Sequence, residues 1–376
     1  MIYFDYASTT PVHEEVLNAY IKVLQNHYAN ADSLHNDGRK SQRLMEKSRA
    51  QTAQLLSVSA EELLFTSCAS EANSLAIKGF ALAHRQRGNH IITTRVEHSS
   101  VVHAMEQLEQ EFGFRVTYLP VNRDGSVDMN ALRQALCAET ILVSTMYVNN
   151  ETGAINPIEE IAAIIHEQSR AVFHVDCVQA LGKLSIPLSD IDMATFSAHK
   201  IYGLKGSALL YKKRNINLLA LINGGQQEQG LRGGTANAPV NTVFAKTLRL
   251  ALSEQTLHNQ YVQQLHDCLC AELSELPDVQ IQSNKNCVPH IINVAFMKVG
   301  SEVMLNALNE RGFAVSAKST CSSKSKAHSY VIAAMGLGEI AATHSIRISL
   351  SHLTKPEEVD ALITALKEIN HDYRTK

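Results

Sequence analysis

The chain has 376 residues, 45% of them apolar and 19% charged, with a formal net charge of -3. That length exceeds the ~250–300 residues at which a single core stops growing, which predicts more than one hydrophobic unit. The near-balanced charge provides no general attraction to nucleic acid or to an anionic membrane, and no apolar run reaches the roughly 20 residues that span a bilayer.

The N-terminal stretch MIYFDYASTTPV carries an acid at Asp5 and lacks the basic and apolar pattern of a secretion signal, so a cytoplasmic protein is expected. The seven cysteines are too few for a disulfide scaffold in a chain of this length, and their number is odd. Cys268 and Cys270 lie two apart in a helical-looking stretch and do not face each other there, so no metal site is expected.

In chain order, residues 37–57 read as an amphipathic helix, and Ser59-Ala-Glu-Glu62 forms a capping box for a short turn. A strand at 63–66 precedes a helix at 71–86, and a strand at 91–94 precedes a helix that begins near Ser99. Further strands are predicted at 114–119, 141–147, 171–175, 192–196 and 208–211. Strands alternating with helices imply an α/β fold with a mostly parallel sheet flanked by helices. After residue 236 the pattern changes to one long helical region over 237–277. A strand at 291–296, a helix at 302–311, a strand at 346–350 and a final helix from about Pro356 follow. This predicts a smaller α+β C-terminal domain. The expected division is a large domain at 16–255 and a small domain made of 1–15 and 256–376, with the N-terminal arm packed onto the latter.

Ligands of open parallel sheets bind beyond the carboxyl ends of the strands. Those ends carry Ser67-Cys68-Ala69-Ser70-Glu71, Val96-Glu97-His98, Asn149-Asn150-Glu151, Asp176-Cys177-Val178-Gln179 and Ser197-Ala198-His199-Lys200. Each stretch has an ordinary reading by itself: a helix cap at 67–70, a surface His98, a capping Asp176, a solvated Lys200. Their convergence on one crevice has a chemical sense. Small residues opening a helix make a phosphate cup. A histidine stacks on an aromatic ring, a carboxylate pairs with a protonated ring nitrogen, and a lysine forms a Schiff base with an aldehyde. Together they describe pyridoxal 5'-phosphate. A dinucleotide site is the rival, but no G-x-G-x-x-G follows the first strand.

The segments YFDYASTTP (3–11), FTSCASEANSLAIKG (65–79), VEHSSV (96–101), YVNNETG (147–153), HVDCVQ (174–179) and SAHKIYGLKG (197–206) resemble the cysteine desulfurases, fold-type I pyridoxal-phosphate enzymes of the class V aminotransferase group. GGQQEQGLRGGTAN (224–237), SAKSTCSS (316–323) and SIRISL (345–350) extend the resemblance to nearly the whole chain. The resemblance implies that Lys200 holds the cofactor, Asp176 pairs with the ring nitrogen, and His98 stacks on the ring and shuttles protons. It places Gln179 and Asn150 near the ring hydroxyl and the substrate. It puts Ser70, Ser197 and His199 at the phosphate, with Thr235 reaching it from the partner subunit of a homodimer. Arg347 would bind the carboxylate of L-cysteine, and Cys321 would take its sulfur for delivery to an acceptor protein, either an iron–sulfur scaffold or a thiolation enzyme.

The residues around Cys321 agree with this role. TCSSKSKAHS is small and polar, and Lys318, Lys324 and Lys326 flank the thiol, where cations lower its pKa. Several positions depart from the family pattern. Cys68, Lys318 and Gln226 stand where glycine is usual, Thr320 replaces a smaller residue, and Gln229 replaces a basic one. At Cys68 the departure is expected to tighten or reshape the phosphate turn. Two other readings stay open at this point: a selenocysteine lyase or other class V enzyme, and a non-catalytic paralogue that serves as a scaffold.

Overall fold

The computed structural model describes residues 1–283, 285–317 and 328–374. Its main sheet has seven strands in the order Leu63–Thr66, Ala208–Lys212, Met193–Ser197, Val172–Asp176, Thr140–Met146, His90–Thr94, Arg115–Leu119. Every pairing from Met193–Ser197 to Arg115–Leu119 is parallel. Ala208–Lys212 runs antiparallel to both of its neighbours. Because one strand is reversed between two others, Leu63–Thr66 points the same way as the parallel set. Six carboxyl ends therefore reach one edge, among them the five that carry the candidate site residues.

The central strands are buried on both faces, as runs such as Ile141-Leu142-Val143 require. One face packs on a core that includes Phe173, Phe196 and Phe244, and the other on a core that includes Phe80, Met105 and Leu210. The predicted helix at 37–57 is Asn36–Leu56, and the capping box at Ser59 is present. Five described helices were not predicted: Glu14–Asn26, Met129–Ala135, Ile158–Gln168, Tyr330–Ala334 and Glu339–His344. Glu14–Asn26 buries only Val16, so its apolar spacing reports little about the core. The expected single helix over 237–277 is two, Ala238–Ser253 and Gln255–Ser274, divided at Glu254.

A second core gathers Val262, Leu269, Phe296, Met304, Ile348 and Leu366 around an antiparallel sheet ordered Ser345–Ser349, Ile291–Phe296, Val279–Ile281. The N-terminal arm contacts this unit. Ile2–Tyr3 pairs in parallel with Phe313–Ala314, Phe4 is fully buried in the second core, and Ser349 N–H donates to Phe4 O at 2.8 Å. The arm then crosses to the large sheet, where Thr10 N–H donates to His199 O at 3.0 Å and His13 N–H to Tyr202 O at 2.8 Å.

Candidate active site

A cavity of about 320 Å³ opens where the strand ends meet. Ser70, His98, Asn150, Asp176, Gln179, His199, Lys200 and Arg347 all line it, together with Ala7, Ser8 and Cys68. Ser197 ends its strand beside them, and its hydroxyl is buried with no hydrogen-bond partner among the described residues. Thr235 does not reach this cavity within its own chain. It lines a separate one of about 220 Å³ with Ser67, Gly206 and Arg232. Cys321 and its neighbours Lys318, Lys324 and Lys326 lie outside the described residues.

Lys200 is delivered by a 3-10 turn, Ala198–Lys200, directly after the strand Met193–Ser197. Gly206 has a φ of +80°, which accommodates the return into Ala208–Lys212. Lys200 Nζ donates to the carbonyls of Ala7 and Ser8, both at 2.6 Å. The first of these also accepts from Gln179 Nε2 at 2.9 Å. His199 N δ1 lies 3.2 Å from Thr9 Oγ1, and burial, then Lys200 and Lys205, push its pKa down to about 4. It is neutral at pH 7.

Asp176 is buried at the end of its strand, Val172–Asp176. Val178 N–H donates to Oδ1 at 3.0 Å, a local turn bond, and Asn73 Nδ2 donates to Oδ2 at 2.8 Å. The second hydrogen of the Asn73 amide goes to Ser100 Oγ at 2.9 Å. Ser100 Oγ lies 2.8 Å from His98 Nδ1, and Ser100 N–H donates to the same nitrogen. With Ser100 Oγ accepting from Asn73, its proton goes to His98 Nδ1. That nitrogen accepts twice, so the neutral ring carries its proton on Nε2. One amide thus holds the carboxylate and, through a hydroxyl, sets the tautomer of the histidine.

Arg347 is 2% exposed and sits on the strand Ser345–Ser349 of the second core. Its Nη1 donates to Asn150 O at 2.8 Å, and its Nη2 to Asp5 Oδ1 at 2.8 Å and Ser8 Oγ at 2.6 Å. Its Nε is buried with no partner among the described residues, as is Asn150 Oδ1. A buried guanidinium with a spare donor is a cost unless a ligand takes it up.

Cys68 has φ -162° and ψ 163°, extended backbone that any residue adopts. A glycine is therefore not required, and the turn is neither tightened nor reshaped by the thiol. Helix Ala69–Ser74 follows it and continues through a π-helical turn, Leu75–Gly79, into Phe80–His84.

Asn73, Ser100, Asp5, Ser8 and Glu97 were not assigned roles from the sequence. Asn73 had a usable signal, since it lies three residues after Ser70 and so on the same helix face. Asp5 and Ser8 had none beyond polarity, because a contact across 342 residues leaves no local spacing.

Glu97 is fully buried beneath the cavity. Its Oε1 accepts from Thr94 Oγ1 at 2.6 Å and Met146 N–H at 3.0 Å, whereas Oε2 has no partner among the described residues. Burial pushes its pKa up to about 8. Below the ordinary carboxyl range the side chain is neutral folded and unfolded. Between there and about pH 8 only the unfolded chain gives up the proton, so stability falls as pH rises. Glu97→Gln should remove this slope, gaining roughly 2 kcal/mol or more over the parent at pH 8 than at pH 4.5. Denaturant melts of both proteins at the two pH values check it, and parallel pH dependences would refute it.

A half-buried lysine, a buried carboxylate and an arginine with an unused donor face one cavity at the carboxyl edge of an α/β sheet, the setting of an enzyme active site. The chain belongs to the class-V aminotransferase family, whose profile matches residues 2–362. It is 39% identical to the NifS/IcsS protein homolog of Lactobacillus delbrueckii subsp. bulgaricus over 99% of this chain and 98% of that protein. It is also 39% identical to the cysteine desulfurase of Mus musculus, over 100% of this chain and 82% of the mouse protein. Among solved structures, a NifS-like protein superposes with a TM-score of 0.93 at 34% identity, covering 99% of both chains. SspA in complex with cysteine superposes with a TM-score of 0.82 at 33% identity, over 93% of this chain and 99% of that one.

Proposed function

We propose that the chain is a cysteine desulfurase that takes sulfur from L-cysteine, releases L-alanine and carries the sulfur as a persulfide on Cys321. The observation that carries this reading is the meeting of Lys200, Asp176, His98 and Arg347 in one cavity. Relatives named as cysteine desulfurases along nearly the full chain support it, as does the cysteine bound by SspA. The presence of all four residues argues against a non-catalytic scaffold.

The cavity fits pyridoxal 5'-phosphate. Ser197 Oγ and Asn150 Oδ1 are buried without partners among the described residues, and Ala69 and Ser70 lead the helix ahead of its first bonds, which Glu71 and Ala72 N–H make to Cys68 O. Ser70, Ser197 and His199 would hold the phosphate, with Thr235 completing the cup from the partner of a homodimer. Gln179 would lie near the ring hydroxyl. When bound, the cofactor supplies an aldehyde for amine capture and a ring that accepts electrons from the substrate's α-carbon.

The chain's own groups do the rest. Asp176, fixed by Asn73 and Val178, is positioned to keep a ring nitrogen protonated. His98 presents Nε2–H because Nδ1 is engaged by Ser100. Arg347 is aimed by Asp5, Ser8 and Asn150 O, which leaves its remaining donor for a carboxylate. Lys200 provides the amine and then a mobile proton. Sulfur would pass from Cys321 to an acceptor protein, such as an iron–sulfur scaffold or a thiolation enzyme. The division into residues 16–255 and residues 1–15 with 256–376 is part of this proposal, since the two groups of residues centre on different cores. No described helix is long and apolar enough to cross a membrane. A cytoplasmic location is part of the same reading.

The test is to supply L-cysteine to the purified protein and measure alanine and sulfide, with selenocysteine as the competing substrate. Equal yields of alanine and sulfur support the reading, and no alanine from cysteine refutes it. In the same assay Asp176→Ala should keep its fold and lose at least ~100-fold in rate, the low end of what a positioned proton-transfer group contributes. Asn73→Ala should lose less and shift the pH–rate profile, because Asp176 Oδ2 loses its donor while Ser100 N–H still holds His98 Nδ1. Near-normal rates for Asp176→Ala would reduce it to a turn residue.

A further inference from the structure

A second cavity, which shares Ala7, Gln179 and Lys200 with the cofactor cavity, has about 40 Å³ of room for solvent-sized atoms. A water needs at least ~10–15 Å³ of such space, so the cavity suits a particle of one or a few heavy atoms. Six basic side chains line it: Lys183, Lys200, His13, His258, His290 and His352. The one carboxylate on its wall, Glu254, is about half exposed and lies 3.5 Å from His258.

Lys183 Nζ donates to Gln179 O at 3.2 Å and Gln179 Oε1 at 3.3 Å, and no carboxylate among the described residues forms an ion pair with it. An ammonium has three donors, so one is left over. His290 is 9% exposed, and its Nδ1 is buried with no partner among the described residues. His258 and His352 stack with ring centroids 3.7 Å apart and planes 8° from parallel. Tyr202 adds a ring 4.5 Å from His352, and its hydroxyl is engaged with Ser351 Oγ at 2.6 Å.

Such a wall has spare donors and a one-sided potential. A cleft of one sign in a low-dielectric surround concentrates the opposite ion. A dry cavity would leave both the Lys183 charge and the His290 donor uncompensated. Burial and mutual repulsion with these neighbours push the His290 imidazole well below its ordinary range, and burial lowers Lys183 to about 8. An anion at the centre reverses both tendencies.

We propose that this cavity binds a compact monovalent anion of chloride size, held by Lys183 and His290. The small accessible volume favours such an ion over larger oxyanions and organic acids. The site borders the catalytic machinery directly, since Ala7, Gln179 and Lys200 line both cavities, and a hydrogen-bonded path connects them. Lys183 holds Gln179, and Gln179 Nε2 donates to the Ala7 carbonyl that also accepts from Lys200. An anion that keeps Lys183 charged therefore steadies the backbone carbonyl against which Lys200 rests. The site does not depend on which reaction the enzyme performs, so its test reads binding alone.

Cofactor-loaded crystals soaked in sodium bromide should show an anomalous peak between Lys183 and His290. In solution, chloride should raise the melting midpoint by roughly 2–4 °C over gluconate at equal ionic strength. Lys183→Met should remove both signals. Should that variant fail to fold, His290→Gln provides the same comparison. The proposal is overturned by an empty cavity in the bromide map, by equal stabilisation from gluconate, or by signals retained in the variants. A bromide peak without a chloride-specific shift in solution is binding at crystal concentration only, and overturns it too.

Discussion

Lys200→Ala is expected to abolish alanine formation, a loss of at least ~10⁴-fold, together with the visible absorption that a lysine-bound cofactor produces. No other described amine can substitute. Lys183 faces the second cavity, and Lys205 does not line the cofactor cavity. The fold should survive, because the side chain donates only to the Ala7 and Ser8 carbonyls among the bonds described above, and water in the cavity can replace it there. Far-ultraviolet circular dichroism and the absorption spectrum of the variant, purified with added cofactor, separate the two effects. A folded, colourless and inactive protein is the expected result. A yellow protein with substantial turnover would mean that the amine comes from elsewhere.

Cys321→Ser should bind cofactor and L-cysteine as the parent does and release almost no sulfur. A serine oxygen cannot hold the sulfur as a persulfide. Mass spectrometry of the parent after brief incubation with cysteine should locate one added sulfur atom on the peptide containing TCSSKSK. Neutralising Lys318, Lys324 and Lys326 together should slow that step several-fold without abolishing it, since nearby cations favour the thiolate but do not create it. Added sulfur found on Cys68 or Cys177, with Cys321→Ser still active, would move the acceptor role. Cys68 lines the cofactor cavity, which makes it the sharper alternative. Burial raises the Cys177 thiol well above its ordinary range, so it is a poor nucleophile.

The parallel sheet was legible because its strands are short apolar runs that end in polar residues, as at Phe173-His174-Val175-Asp176, and such runs have no other stable use. The same feature exposed Asp176, His98 and Lys200 as a set, since every one of them follows a strand directly. Arg347 was harder to place. It lies within a strand of the second core, and only the resemblance singled it out. Asn73 was hidden in a helix whose spacing also fits plain packing. The helices Glu14–Asn26 and Ile158–Gln168 were missed for different reasons. The first buries almost nothing, and the second follows Pro157 in a stretch where only the bracketing strands had been read. The split at Glu254 leaves no proline or glycine to mark it.

The arm formed by residues 2–10 threads between the two cores, and through Asp5 and Ser8 it grips Arg347. In biosynthesis this joins residues that are made 342 positions apart. Leu63–Thr66 and the rest of the large sheet can form while translation continues, but Asp5 has no partner at position 347 until that codon has been read and the segment has emerged. Residues 7–13 can already meet Gln179, His199, Lys200 and Tyr202 while synthesis continues, but until then Phe4 has no second core to enter and Asp5 and Ser8 lack the guanidinium they aim. The substrate-facing part of the site is therefore the later one to close, because it joins segments that are far apart in sequence.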